Sequence, residues 1–168
     1  MKENDDLKRI KMIEIQKYSM NKQDSKNKLD ELEIFKDKVA YEFKDGWTEL
    51  VYELGKDITE LCKSLNCELP MIQQVKEKMG TLRFYYNCLN SPYPEIVEKS
   101  IRAFVNNAET KSASTCEVCG KYGQLRVSKR ALYFTVCEEH KEDSITTKEY
   151  EELVLKKRAE RLAPEFSI

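Results

Sequence analysis

The chain has 168 residues, 40% of them hydrophobic and 35% charged, and a formal net charge of −1. That length suits one domain of ordinary size, or a smaller domain with an appended arm. The charge balance excludes a global pull towards nucleic acid or an acidic membrane, and no run approaches the roughly 20 apolar residues that span a bilayer.

Residues 1–28 are the least core-like part. The first six are polar and mixed in charge, unlike a secretory signal. Leu7, Ile10, Ile13 and Ile15 form a broken apolar pattern, and 21–28 is almost wholly polar. The expectation is a mobile or independently helical arm. From 29 to 43, Leu29, Leu32, Phe35, Val39, Ala40 and Phe43 recur at helical spacing, which predicts a helix stopped by Gly46. The strongest helix follows over 47–65, with Trp47, Leu50, Val51, Leu54, Ile58, Leu61, Cys62 and Leu65 on one stripe. Trp47 is expected in the core, and Cys62 as a small hydrophobe of the same stripe.

Two extended runs, 71–76 and 81–87, meet at Lys78-Met-Gly80 and read as a β-hairpin. Leu82, Phe84 and Tyr86 share one face; Arg83 and Tyr85 share the other. Ser91-Pro-Tyr-Pro94 is a turn, and Pro94 opens a helix with Ile96, Val97, Ile101, Phe104, Val105 and Ala108 on its apolar face.

The most informative pattern begins after that helix. Cys116-Glu-Val-Cys119 is followed by seventeen residues and then Cys137-Glu-Glu-His140. Two close pairs at short separation supply four tetrahedral ligands to zinc. Four protein ligands leave no open position, so one structural Zn²⁺ is expected rather than a catalytic one. Strands are expected over 124–127 and 131–135, giving a treble-clef or zinc-ribbon-like unit. Cysteines in this pattern, rather than spaced along a small disulfide scaffold, fit a reducing cytoplasm. Finally, Thr146-Thr-Lys-Glu149 is a capping-box signal for a last helix carrying Tyr150, Leu153, Val154 and Leu155.

His140 is the only histidine. If metal uses it, no imidazole is left for acid–base chemistry, and nucleases of the ββα-metal kind need one. The His-x-Glu of zinc deaminases is missing, as are a Gly-x-x-x-x-Gly-Lys loop and a Gly-x-Ser-x-Gly elbow. The expectation is therefore a non-enzymatic α+β protein: an arm (1–28), amphipathic helices packed on a hairpin (29–111), and a zinc-binding unit with a C-terminal helix (112–168).

Two binding surfaces stand out. The hairpin offers Arg83, Tyr85 and Tyr86, residue types enriched at protein-binding hot spots, with Tyr93 in the next turn extending them. The zinc unit offers Lys121, Arg126, Lys129 and Arg130, which either offset the negative charge of a three-thiolate centre or contact nucleic acid. Over 111–141, six Lys/Arg face three Glu, and Tyr122, Tyr133 and Phe134 are placed to stack on bases. A strand face presenting Lys76, Lys78 and Arg83 together would also suit a small anion. Protein binding is the first reading and nucleic-acid binding the alternative.

Gly46-Trp47, the run Gln74-Val-Lys-Glu-Lys-Met-Gly-Thr-Leu-Arg-Phe-Tyr85, and Ala108-Glu-Thr-Lys-Ser-Ala-Ser-Thr-Cys-Glu-Val-Cys-Gly120 with Cys137-Glu-Glu-His140 carry a resemblance. The string from 46 to 140 resembles a family of small, mostly uncharacterised bacteriophage and prophage proteins. That resemblance implies a phage accessory protein of the bacterial cytoplasm, one that binds host machinery or counters host defence.

Overall fold

The computed structural model describes residues 27–37, 39–88 and 94–162. The expected arm, apart from its last two residues, and Tyr93 lie outside the described residues.

The apolar stripe after Gly46 forms helix α1 (Thr48–Ser64), which buries Val51, Leu54, Ile58 and Cys62 at helical spacing. Trp47 sits just before it, in a 3-10 turn (Asp45–Trp47), and is fully buried. Helix α1 connects two parallel neighbours, β1 (Ala40–Glu42) and β2 (Met71–Lys78), in the register Tyr41↔Val75. Parallel strands need such a crossover. Strand β2 then turns through Met79-Gly80 into antiparallel β3 (Thr81–Asn87). Both turn residues have positive φ, 55° and 76°, the backbone of a tight two-residue hairpin.

Helix α2 (Glu95–Ser112) buries Val97, Ile101, Val105 and Ala108 against α1 and β3. Ile96, expected on that face, is 63% exposed. The helix also covers the open edge of the sheet. Leu82 N–H donates to Ser112 Oγ at 2.8 Å, and Phe84 N–H to the Glu109 carboxylate at 3.3 Å. Two edge donors that would otherwise template another strand are thereby satisfied.

The stretch 29–43 is not the single helix its spacing predicts. Residues 27–30 are helical, Glu33–Phe35 is a 3-10 turn, and β1 follows. Two tertiary contacts override the helical pattern. The Ala40–Glu42 backbone pairs with β2. Phe35 stacks edge-on to Tyr41 and Phe84, each at 6.3 Å, in a space left by the absent side chain of Gly55.

The C-terminal half holds a second small sheet. Strands β4 (Gln124–Val127) and β5 (Tyr133–Val136) form a hairpin, and β6 (Ile145–Thr146) pairs with the other edge of β4. Helix α3 (Thr147–Leu162) starts with the expected capping box. Thr146 N–H donates to the Glu149 carboxylate at 2.7 Å, and Glu149 N–H to Thr146 Oγ1 at 3.2 Å. The architecture is α+β, with helices and two small sheets.

Candidate metal centre

Strand β5 delivers Cys137 back to the loop that follows α2, which carries Cys116 and Cys119. A 3-10 turn (Glu138–His140) then folds His140 inwards, with its N–H donating to Cys137 O at 3.1 Å. The first pair lies in a tight knuckle. Cys116 N–H bonds Lys121 O at 2.7 Å, and Gly120 N–H returns to Cys116 O at 2.9 Å with φ at +75°. A bridge between Thr115 and Tyr122 closes its base.

The four donor atoms all lie within 4.8 Å of one another. Cys116 Sγ is 3.7 Å from His140 Nδ1, Cys137 Sγ is 3.2 Å from it, and Cys119 Sγ is 3.7 Å from Cys137 Sγ. A tetrahedral zinc with Zn–S near 2.3 Å and Zn–N near 2.0 Å has edges of about 3.5–3.8 Å. The donor set is therefore spaced as one tetrahedral ion requires, with Nδ1 the imidazole nitrogen turned towards the sulfurs.

The thiols are electrostatically unequal. Burial opposes ionisation of Cys116, but backbone N–H groups of Cys137, Cys119 and Val118 outweigh it and lower its pKa. Cys137 is likewise lowered, burial being outweighed by hydrogen bonds from His140 and Cys119. Cys119 is pushed up to about 11, first by lost hydration and then by its two sulfur neighbours. Crowded sulfurs resist ionising together, and a divalent cation relieves that repulsion.

The knuckle is locked onto the helical core by close contact. Gly46 N–H donates to Glu117 O at 2.9 Å. A Cβ on Gly46 would lie 2.7 Å from the Cys119 nitrogen and nearer still to Cys116 O. Only glycine allows that approach, so Gly46 serves the docking and is not the helix stop expected from sequence. Trp47 Nε1–H donates to Thr115 O at 2.8 Å. The Glu117 side chain, 4% exposed, pairs with Lys44. At the other side, Thr135 Oγ1–H donates to Gly80 O at 2.6 Å, tying β5 to the hairpin tip.

The basic residues named from sequence are largely paired. Lys121 bonds Glu139 at 2.9 Å, Arg126 is buried and pairs with Glu138, and Lys129 bonds Asp143 at 3.0 Å. Arg130 is exposed. Extending the count to Asp143 adds Glu142 and Asp143 and leaves an excess of one positive charge. Of the proposed stacking residues, Tyr122 is 72% exposed, while Tyr133 is engaged edge-on by Tyr150 at 6.4 Å.

On the hairpin, Arg83 lies opposite Lys76 and reaches Glu109 at 3.8 Å; its Nη1 also donates to Leu82 O and Thr81 Oγ1. Lys76 sits over the Tyr85 ring at 5.2 Å. Tyr86 is on the other face, tilted against Phe84 at 6.3 Å. Arg83 and Tyr85 are thus brought together, and Tyr86 is not. Sequence reasoning cast Gly46 as a helix stop and missed the pairing roles of Glu117 and of the acidic partners Glu138, Glu139 and Asp143. The proximity of those acids to the lysines was the signal for the last three.

No protein-family model matches the chain, and no curated protein or solved structure does.

Proposed function

We propose that this chain is a zinc-stabilised binding protein with no catalytic role, whose partner is another protein. The observation that carries this reading is the convergence of three sulfurs and the single imidazole on one tetrahedral volume. Cys116, Cys119, Cys137 and His140 would hold Zn²⁺, and the ion would supply folding free energy. With the ligand sphere filled by protein, it has no position for substrate. Ion pairs on Lys121, Arg126 and Lys129 leave little free charge on the zinc unit for phosphates, which favours a protein partner over nucleic acid. The phage setting, the bacterial cytoplasm and a role against host defence rest on the resemblance alone.

The test is affinity purification from bacterial host cells with and without nuclease, followed by mass spectrometry. The expected result is one protein recovered in stoichiometric amount in both samples. Recovery that vanishes with nuclease would overturn the reading in favour of nucleic acid.

A further inference from the structure

Helix α3 presents one face that the described residues cover only in part. Tyr150, Leu153, Val154, Lys157, Arg158 and Arg161 lie at i, i+3, i+4, i+7, i+8 and i+11, and so form one stripe. The stripe is apolar in its first half and basic in its second. It forms one wall of a groove of about 580 Å³, whose other wall is the β4 end and the segment before β6, from Ser128 to Ile145.

Both halves are unusual for a solvated helix. Leu153 and Val154 are 40% and 44% exposed, yet they face Ile145 across the groove rather than open water on all sides. The three cations Lys157, Arg158 and Arg161 have no carboxylate within ion-pair distance among the described residues. Lys121, Arg126, Lys129 and Lys141 on this half are paired with Glu138, Glu139 and Asp143. The one acid lining the groove, Asp143, is itself held by Lys129.

We infer that this groove docks an acidic, amphipathic segment of the partner protein, with its apolar side chains on Tyr150, Leu153, Val154 and Ile145 and its carboxylates on Lys157, Arg158 and Arg161. This rests on the protein-binding reading above and assigns it a place. The chemistry selects that occupant. An aliphatic floor takes Leu, Ile or Phe anchors by removing apolar surface from water. Arginine forks match carboxylates bidentately. Nucleic acid would ask for stacking faces, and the one aromatic ring in the groove, Tyr150, is already engaged by Tyr133. The zinc unit positions the groove, because the far wall belongs to the sheet that follows the knuckle.

The experiment uses the full zinc-loaded chain and three probes: a synthetic 15-residue peptide alternating Leu and Glu on helical spacing, the same peptide with Lys for Glu, and a 15-nucleotide single-stranded oligonucleotide. Binding is followed by fluorescence anisotropy and located by amide chemical shifts. The acidic peptide is expected to bind, to shift amides of 128–130, 145 and 150–161, and to weaken as salt rises. Lys157→Gln/Arg158→Gln/Arg161→Gln, which keeps good helix formers, is expected to weaken it at least tenfold. Leu153→Ala/Val154→Ala is expected to do the same without changing the salt dependence. Failure of the acidic peptide to shift these amides, equal binding of the Lys peptide, or tighter binding of the oligonucleotide would each overturn the assignment. The triple Gln variant also separates the two readings. If it still recovers the protein partner from host cells, the groove is wrong and protein binding stands. If the wild type recovers only nucleic acid, protein binding itself fails.

Discussion

Gly46 shows how much one missing side chain decides. Its hydrogen atoms let the 45–47 turn touch the Cys116–Cys119 backbone. Overpacking of this kind costs roughly 1–3 kcal/mol. Gly46→Ala is expected to lower stability by about that amount and to weaken zinc retention against a chromophoric chelator. An unchanged melting temperature would mean that the knuckle is not seated there. Glu117 and Lys44 make a second residue-scale case. Burial pushes the Glu117 pKa up, and the Lys44 ammonium only partly reverses that. Breaking a buried pair from the cationic side leaves a naked carboxylate, whereas neutralising the acid removes the cost along with the benefit. Denaturant titration of both variants is expected to find Lys44→Ala more destabilising than Glu117→Gln at neutral pH. The reverse order would contradict the assignment of burial as the dominant effect.

Among the elements, α1, the β2–β3 hairpin, α2 and the capping box of α3 were legible because each satisfies its own local rule. The stripe from Val51 to Cys62 has helical period, Met79-Gly80 supplies two positive-φ residues, and Thr146 and Glu149 cap reciprocally. The segment 29–43 was not legible as a helix-to-strand change, because Leu29, Leu32, Phe35 and Val39 satisfy helical spacing too. The competing signal was the alternation Val39, Tyr41, Phe43, whose side chains are partly buried against the core while Ala40 and Glu42 are exposed. Pairing with β2, which no local pattern announces, decided it. Two predictions belong here. Ser112 Oγ is the acceptor for Leu82 N–H at the sheet edge and is fully buried. Ser112→Ala strands that donor and is expected to cost about 1–3 kcal/mol, read by thermal denaturation; no loss would mean that the edge is satisfied otherwise. The capping carboxylate of α3 gives a pH effect. Hydrogen bonds from the Thr146 N–H and hydroxyl hold the Glu149 pKa below the usual carboxylate value. A depressed folded pKa makes its contribution complete above the unfolded value and lost as pH falls through the folded one. Protection of the amides at 147–150, relative to their intrinsic exchange rates, is expected to fall below about pH 4, where ordinary glutamates protonate, and to do so less in Glu149→Gln.

At the scale of the molecule, the ligand quartet was readable as spacing, but its attachment was not. Among the described residues the two halves have separate buried clusters: sixteen residues around Trp47, and Cys116, Val136 and Cys137 in the ligand-bearing unit, with Val127 buried beside them. So small a core cannot hold a fold without a staple. Hydrogen bonds of Gly46, Trp47 and Gly80 with the ligand-bearing unit join residues 55 to 71 positions apart, separations at which sequence pattern is silent. Removing metal is therefore expected to expose amides over 112–142 to exchange while α1, β2 and β3 keep theirs. The central claim is that the ion is enclosed by protein and bears no reaction. X-ray absorption at the zinc edge of the purified protein tests it most directly. Three sulfur neighbours and one nitrogen, with no oxygen, is the expected first shell. An oxygen neighbour that exchanges with solvent, or a shell without the imidazole nitrogen, would contradict it.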